Sequence, residues 1–304
     1  MLRHLNNNVI QPKRVVILGA KGFVGAAIVR KLARTNIDTV AIGREELDLS
    51  TANAAEKLIK ILHPNDALVI IAAKAPCKNH DMLLQNIQMI KPVCDALLQR
   101  PVQHVLYISS DAVYTDSMEK LNECSPAAPT SLHGVMHLAR EQMLRSVVIN
   151  NALAILRPSL LYGAQDPHNG YGPNSFYRLA IAGKPIELFG DGEEQRDHVY
   201  IEDVAEIVCQ CLLHRSYGVL NLTTGEVVSF NDIAKKVTQL LEKPVEIRSR
   251  PRNMPMPHNG YRAFNNQVCN HAFRGFQWTT FAVGLKKMHQ DHLQIFKESL
   301  HEGN

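Results

Sequence analysis

Through most of the chain, short apolar runs alternate with longer stretches in which apolar residues recur at helical spacing. The apolar runs predict strands over residues 15–18, 38–43, 67–73, 102–108, 152–157 and 218–222. The intervening stretches predict helices over about residues 23–32, 51–62, 81–98 and 132–149. Apolar strands separated by helices are typical of a parallel sheet with helices packed on both sides. The pattern therefore predicts an α/β, doubly wound fold.

Three glycines, Gly19, Gly22 and Gly25, separate the first predicted strand from the first predicted helix. A strand, a glycine turn and a helix N-terminus form an anion site, because backbone N–H groups and the positive end of the helix dipole face one pocket. A close helix–strand contact would also require glycine, but the position after an apolar strand favours a dinucleotide site. We therefore predict that these glycines, with Phe23 and Val24, bind a dinucleotide cofactor.

The residue after the second predicted strand bears on which cofactor binds. In NAD-binding units an acidic residue at this point takes the adenosine ribose hydroxyls, whereas here Gly43 is followed by Arg44. A guanidinium suits the 2′-phosphate of NADP. Alternatively, Arg44 lies on the surface and Glu45 or Glu46 serves the ribose. The sequence favours NADP over NAD.

The second half of the chain differs in composition. Proline, glycine, asparagine and aromatic residues crowd residues 162–189 and 251–264, and loops of this length usually carry binding function or are disordered. We predict a Rossmann-type NAD(P)-binding domain over residues 1–165. A smaller, interleaved substrate-binding region is predicted over residues 166–304, with returns to the sheet near residues 199–222.

Composition narrows the class of protein. The 304 residues are 45% hydrophobic and 20% charged, as in a globular protein, and a net charge of +4 is too small to indicate a nucleic-acid partner. No apolar run is long enough for a signal peptide or a membrane span, so we expect no membrane association. The six cysteines lack the spacing of a metal site or a disulfide framework. We therefore expect a cytoplasmic protein without a metal.

Further short motifs follow the glycine turn. They are Leu47-Asp48-Leu49, Ala72-Ala73, Asn86-Ile87, residues 108–114 (Ile-Ser-Ser-Asp-Ala-Val-Tyr), Leu156-Arg157-Pro158 with Tyr162-Gly163, residues 189–192 (Phe-Gly-Asp-Gly) and residues 196–203 (Arg-Asp-His-Val-Tyr-Ile-Glu-Asp). In order and spacing, over about residues 14–245, the chain resembles the extended short-chain dehydrogenase/reductase family. Its members are NAD(P)-dependent epimerases, dehydratases and reductases of nucleotide sugars. The resemblance implies a Rossmann-type fold and a nucleotide-sugar substrate.

The resemblance also implies which residues support the cofactor. By position in the family's motifs, Asp48 and Leu49 would contact the adenine. Ala72, Ala73 and Asn86 would support the cofactor at the ends of the neighbouring strands. These roles come from the likeness of the motifs and not from spacing alone.

A second set of positions is implied for the substrate. Ser110 matches the family's catalytic hydroxyl, which hydrogen-bonds the sugar oxygen that gains or loses a proton. Asp111 matches an acid of the dehydratases, although it could equally cap the following turn. Arg196 matches an arginine that binds the substrate's phosphates, and its alternative is a surface ion pair with one of the glutamates at 193–194. Asn174 is a further candidate for substrate binding.

The chain departs from the family at the catalytic pair, a tyrosine followed four residues later by a lysine. His133 stands in place of the tyrosine and His137 in place of the lysine. In the usual chemistry the lysine cation lowers the tyrosine pKa and binds the nicotinamide ribose, while the phenolate exchanges a proton with the sugar hydroxyl. Without both residues, that mechanism does not apply as normally written.

Three interpretations of this pair are open. In the first, His133 is the general acid/base and His137 donates a hydrogen bond to the ribose, since an imidazole titrates near neutrality. In the second, the site binds cofactor and nucleotide sugar but turns over slowly or not at all. In the third, the two histidines bind a metal with a third ligand such as Asp111. The sequence favours them in that order.

The resulting expectation is an NADP-dependent epimerase or keto-reductase of a nucleotide-linked sugar, with NAD as the alternative cofactor. A dehydratase is disfavoured because Ala112 stands where that branch has a second acid. Family members usually dimerise through the helices predicted over residues 81–98 and 132–149, so we expect a homodimer. The alternative function is a catalytically weak or inactive NAD(P)-binding regulator of the same fold.

Overall fold

A computed structural model of the protein describes residues 1–150 and 152–302. The strands are β1 (Arg3–His4), β2 (Arg14–Leu18), β3 (Asp38–Ile42), β4 (Asp66–Ile70), β5 (His104–Ile108), β6 (Leu153–Pro158), β7 (Leu160–Tyr162), β8 (Ile186–Phe189), β9 (Gln195–Arg196), β10 (His198–Tyr200), β11 (Ser216–Leu222), β12 (Val228–Ser229), β13 (Ile247–Arg250) and β14 (Tyr261–Arg262). The α-helices are α1 (Phe23–Leu32), α2 (Ala54–Ile61), α3 (His80–Gln99), α4 (Leu132–Val147), α5 (Pro173–Ile181), α6 (Ile201–Leu213), α7 (Phe230–Thr238), α8 (Gln267–Ala272) and α9 (Phe281–Glu302). A short 3₁₀ turn covers Asp111–Val113, and Pro257–Gly260 form a turn in which His258 and Asn259 have positive φ.

The central sheet of the described residues has seven strands in the order β1-β11-β6-β5-β4-β2-β3. Its strands are parallel except β1, which runs antiparallel to β11. Alternate residues of β2 face two separate cores: Val15 and Ile17 pack towards α1 and α6, and Val16 and Leu18 pack towards α2, α3 and α4. The prediction of a doubly wound α/β fold is confirmed.

The order of the strands reverses at β2, which has β3 on one side and β4 on the other. In open α/β sheets, ligands bind beyond the carboxyl ends of the strands at such a switch point. The glycine turn leaves the sheet at this place. The strand order and the glycine turn therefore both predict a ligand site at the same end of the sheet.

The differences from the sequence prediction lie at the edges of elements. The strand predicted over residues 67–73 ends at Ile70, because the amides of Ile71 and Ala72 both donate to Leu18 O at the end of β2. The two-residue edge strand β1 was not predicted, since two residues carry no periodicity. The strand predicted over residues 218–222 corresponds to the end of β11, which pairs parallel with β6, whereas β10 pairs with β7 in a separate two-stranded sheet.

One local prediction is wrong. The spacing of Asp203 and Glu206 predicts a capping box, yet α6 begins at Ile201 and Asp203 lies inside its first turn. The Asp203 carboxylate accepts hydrogen bonds from the amide and hydroxyl of Thr279, at 2.7 and 2.8 Å. Glu206 pairs with Lys31 of α1. These carboxylates join segments that are distant in sequence, which local spacing does not encode.

A buried ion pair fixes α4 against the sheet. Glu141 is fully buried and accepts from Arg157 of β6, with Nε–Oε1 and Nη2–Oε2 distances of 2.9 and 2.6 Å. The Ser109 hydroxyl donates to the same carboxylate at 2.6 Å. The pair therefore sets the position of α4 relative to the ends of β5 and β6.

We predict that Glu141→Gln lowers the free energy of unfolding by about 3 kcal/mol, because removing one partner leaves the buried Arg157 charge uncompensated. Urea unfolding followed by circular dichroism measures the change. Asp95→Asn is the control: it breaks the exposed Lys91–Asp95 pair on α3 and should cost under about 0.5 kcal/mol. Equal losses in the two variants would contradict this role of Glu141.

Candidate active site

A cavity of about 890 Å³ lies beyond the carboxyl ends of β2, β4 and β5. It runs from the glycine turn, past the ends of these strands, to the loops around residues 166–174 and residues 258–264. Of the residues that the sequence assigns to the site, two do not line the cavity, namely Gly25 and Asn86. The remaining ones do: Gly19, Gly22, Phe23, Val24, Arg44, Asp48, Leu49, Ala72, Ala73, Ser110, Asp111, His133, His137, Asn174 and Arg196.

Glycine is required for a different physical reason at each position of the turn. Gly19 has φ of +92°, and a Cβ there would lie 2.7 Å from Ala72 N. A Cβ at Gly25 would lie 2.1 Å from Gly19 O, so Gly25 serves the packing of α1 on the turn. Gly22 is the N-cap of α1 without a side-chain cap, and a Cβ there would meet only Gly19 O, at 3.4 Å. The helix N-terminus is thus open to the cavity, which fits a pyrophosphate.

Charged residues surround the far end of the turn. Lys21 Nζ lies 2.7 Å from carboxylate oxygens of both Glu45 and Glu46. Arg44 Nε donates to Asp48 at 3.1 Å. Hydrogen bonds from Ser50, and then from Arg44, lower the pKa of Asp48 to about 2. Both possible ribose glutamates are therefore paired with Lys21, and of these five charged side chains Lys21, Arg44 and Asp48 line the cavity.

Asn86 acts on the cavity wall from behind. Its Oδ1 accepts from the Lys74 amide at 2.8 Å, and its Nδ2 donates to Lys74 O and Met82 O, at 3.0 and 2.8 Å. The side chain is fully buried. Asn86 therefore fixes the segment that follows β4 and has no surface in the cavity.

The turn after β5 places Ser110 and Asp111 at the centre of the cavity. Ser110 Oγ accepts from the Ala112 amide at 3.1 Å and lies 3.4 Å from Asp111 Oδ1. Ser110, and not Asp111, therefore caps the 3₁₀ turn. Asp111 Oδ2 instead accepts from Arg262 Nε at 2.8 Å.

Arg262 was not identified from the sequence. It is buried, and besides Asp111 it donates to Asp116 Oδ1 at 3.1 Å. Its strand β14 pairs with β9, so this guanidinium joins the C-terminal segment to the turn that carries Ser110. No spacing rule relates residues so far apart in the chain. Arg262 follows the turn at residues 257–261, and nothing in that local sequence indicates that it belongs to the site.

Arg196 and Asn174 are buried in the cavity wall and already have protein partners. Arg196 pairs with Glu194 and donates to Pro257 O at 2.6 Å, and burial lowers the pKa of its guanidinium. The ion pair considered as its alternative role is thus present, but buried. Asn174 accepts from the Gly163 amide at 3.1 Å and donates to Asp166 at 2.6 Å. Both side chains are therefore held by protein partners, and each keeps a further N–H group that can donate to a ligand.

The two histidines lie one helical turn apart on α4. Ser131 is the N-cap and accepts from the Gly134 amide at 3.1 Å. A Cβ at Gly134 would lie 2.0 Å from Ala112 O, so α4 packs directly on the turn that carries Ser110. The rings of His133 and His137 are nearly perpendicular, with centroids 4.7 Å apart.

Each imidazole has one nitrogen bound to the protein. The Nδ1 atom of His133 accepts from the Cys77 amide at 3.3 Å, and the Nδ1 atom of His137 lies 2.8 Å from the Tyr107 hydroxyl. Burial lowers the pKa of His133, and burial together with the neighbouring His133 lowers that of His137 well below 6.5. Both imidazoles are therefore neutral at pH 7.

Two further properties limit what the site can hold. Within the described ranges, no three His, Cys, Asp or Glu side chains converge closely enough to hold a metal ion. The metal interpretation of the histidine pair thus has no ligand set there. None of the described helices is both long and apolar enough to cross a membrane.

Both the sequence and the structure of this protein are similar to those of known proteins. The sequence model of the NAD dependent epimerase/dehydratase family matches residues 15–223, which reach from β2 to the end of β11. A UDP-glucose 4-epimerase of Thermus thermophilus, solved with NAD, is similar in structure with a TM-score of 0.78 at 24% identity, over 92% of this chain and 99% of that one. MoeE5, solved with UDP-glucose and NAD, has a TM-score of 0.78 at 22% identity, over 94% and 99%.

A third similar structure is a GDP-L-fucose synthetase of Naegleria fowleri bound to NADP, with a TM-score of 0.82 at 16% identity, over 97% and 98% of the two chains. At these identities the structures establish the fold, and the family follows from the sequence model, which spans more than half of the chain. The protein belongs to the NAD dependent epimerase/dehydratase family.

Proposed function

We propose that the protein is an NAD(P)-dependent epimerase or keto-reductase of a nucleotide-linked sugar, with NADP preferred. One observation carries the proposal: the open glycine turn, Ser110 and two neutral imidazoles line a single cavity at the switch point of the sheet. The similar structures named above were solved with NAD or NADP, and two of them are UDP-glucose complexes or UDP-glucose epimerases.

The cofactor would lie along the ends of β2 and β4. The amides of the glycine turn would bind its pyrophosphate, and Leu49 would lie against the adenine. Lys21 and Arg44 would face the 2′-phosphate of NADP. The uncharged ribose diol of NAD would not require these cations. The bound nicotinamide supplies the hydride chemistry, and the protein contributes position and proton transfer.

The hydroxyl of Ser110 favours an alcohol as the bound form of the substrate. Its hydrogen is directed to Asp111, whose other oxygen is held by Arg262, and its oxygen already accepts from Ala112. The remaining lone pair accepts a hydrogen bond and so suits a sugar hydroxyl better than a ketone. Oxidation of a bound alcohol is the first half of an epimerisation.

A sugar hydroxyl carries a single hydrogen, which would first be donated to Ser110 Oγ. His133 would take this proton once the hydrogen turns from Ser110 Oγ to His133 Nε2. Its Nε2 atom has no hydrogen-bond partner among the described residues and is not fully buried. Accepting a proton there requires the tautomer that carries hydrogen on Nδ1, which gives up the 3.3 Å hydrogen bond from Cys77. A long neutral hydrogen bond of this kind is worth about 1 kcal/mol, a modest cost for a catalytic step.

The same contact supports a second candidate function, an NAD(P)-binding protein without turnover. While the Cys77 amide occupies Nδ1, His133 presents N–H and not a lone pair to the cavity, and no cation stands at the position of the family's lysine. Such a protein would bind cofactor and act through a partner.

The exposed faces of α3 and α4 bear on how the protein assembles. Large apolar side chains are exposed on the two helices through which family members usually dimerise, at Leu84 and Leu98 of α3 and at Leu132 and Val135 of α4. We propose a homodimer through this face. All six cysteines are free, which fits a reducing cytoplasm.

Cofactor preference is tested by titrating the protein with NADPH and NADH and following nucleotide fluorescence. We expect NADPH to bind at least tenfold more tightly, since a phosphate–guanidinium contact is charge-assisted. Arg44→Ala should remove most of that preference and leave NADH binding unchanged. Arg34→Ala, which removes an exposed arginine beyond the end of α1, is the control. NADH binding as tightly as NADPH would contradict the role of Arg44.

His133→Ala should lower turnover of the active nucleotide sugar at least about a hundredfold, the usual scale of general acid–base catalysis. Cofactor affinity should change little. Turnover is measured by absorbance at 340 nm and by NMR of the sugar across a panel of UDP- and GDP-sugars. His168→Ala, which removes an exposed histidine of the cavity rim, is the matched control.

Unchanged turnover in His133→Ala would exclude the acid/base role. Activity that appears only in the double variant His133→Tyr/His137→Lys would support the alternative without native turnover.

The pH dependence follows from the lowered pKa of His133. A base must be unprotonated, and a pKa below 6.5 keeps more than half of His133 unprotonated at that pH. We therefore expect kcat/KM at pH 6.5 to exceed half of its value at pH 8 and to fall as the pH drops further. A profile that is already half lost at pH 6.5, or that rises as the pH falls, would contradict this assignment.

A further inference from the structure

Tyr107 lies behind the histidine pair and has no role in any interpretation of the sequence. It is the fourth residue of β5, fully buried, and its hydroxyl lies 2.8 Å from His137 Nδ1. No other hydrogen-bond partner of this hydroxyl occurs among residues 1–150 and 152–302. His137 itself is only 5% exposed.

The direction of this hydrogen bond can be worked out. A buried O–H group that donates to nothing costs the full desolvation of a donor. Among the described residues, the only acceptor within reach is the lone pair of His137 Nδ1, which is present only when that nitrogen carries no hydrogen. The charge of the Arg140 guanidinium, 5.3 Å from the centre of the Tyr107 ring, further opposes a second proton on His137.

We propose that Tyr107 is a positioning residue: by donating to Nδ1 it holds His137 as the neutral tautomer with hydrogen on Nε2, so that a fixed N–H donor points into the cavity. The proposal rests on the proposed function in that the acceptor is a ribose hydroxyl of bound NAD(P). His137 Nε2 lines the cavity, has no partner in the described part of the chain and is not fully buried. Proton placement by a second hydrogen bond is the general way in which proteins select a histidine tautomer.

The consequence is a different solution to binding the nicotinamide ribose. A lysine in this place would offer a charge and several donors, whereas His137 offers one uncharged donor of fixed direction. Arg140 supports the arrangement, since it donates to Ala72 O at 2.7 Å and thereby fixes α4 to the end of β4. Without the Tyr107 hydroxyl, His137 would be free to place its proton on either nitrogen.

The tautomer is measured directly by NMR of the protein labelled with ¹⁵N-histidine, with His137 assigned through the His137→Ala variant. In the wild type we expect a protonated Nε2 and an unprotonated Nδ1 at pH 7.5. In Tyr107→Phe we expect averaged shifts that report both tautomers. A wild-type His137 with hydrogen on Nδ1, or an unchanged tautomer in Tyr107→Phe, would overturn the proposal.

The functional arm is a double-mutant cycle on NADPH affinity by calorimetry. Tyr107→Phe should weaken binding about three- to tenfold, the scale of one neutral hydrogen bond, and should have no further effect in the His137→Ala background. Tyr114→Phe is the control, because it also removes a buried hydroxyl, one that bonds Asn221 at 2.7 Å. Equal weakening by Tyr114→Phe, or additive losses in the cycle, would contradict the positioning role.

The two arms separate this inference from the proposed function. If the wild type binds neither NADPH nor NADH, the proposed function fails, and the NMR arm still decides the tautomer. If the cofactor binds but no sugar turns over, Tyr107 retains its test in both arms. Near-UV circular dichroism shows whether each variant is folded.

Discussion

The site depends on one constraint, the attachment of α4 to the ends of the parallel strands by buried polar contacts. Glu141 binds Arg157 and Ser109, Arg140 binds Ala72 O, and His137 binds the Tyr107 hydroxyl. Buried charges are tolerated only when they are paired, so these contacts allow few other positions of the helix. The distance between the imidazoles and Ser110 follows from that attachment and from the close approach of Gly134 to Ala112 O.

The same arrangement explains why the pair of imidazoles is compatible with this fold. The usual tyrosine–lysine pair places the lysine cation in the site. Here the burial of His137 and the neighbouring Arg140 both disfavour an additional positive charge. Neutral imidazoles avoid that cost and still offer one nitrogen each to the cavity. The electrostatics of the site thus match the residues present. In the proposed function, His133 exchanges one proton and His137 donates one hydrogen bond.

Much of the fold follows from local sequence pattern. The strands β2, β4 and β5 each contain a continuous apolar run, the helices α3 and α4 show clear helical spacing, and the glycine turn is a local motif. The residues that complete the site were not accessible in this way. Arg140 and Glu141 are charged residues on a helix, for which the surface is the usual place. Their burial depends on partners from β4 to β6, and Arg262 contacts Asp111, which lies 151 residues earlier in the chain.

A pyrophosphate bound on the glycine turn would bring the nicotinamide to α4. A crystal structure of the protein soaked with NADP tests this placement. We expect density for the pyrophosphate against the amides that follow Gly19, with a ribose hydroxyl within hydrogen-bond distance of His137 Nε2. Cofactor bound elsewhere, or a nicotinamide directed away from Ser110 and His133, would contradict it.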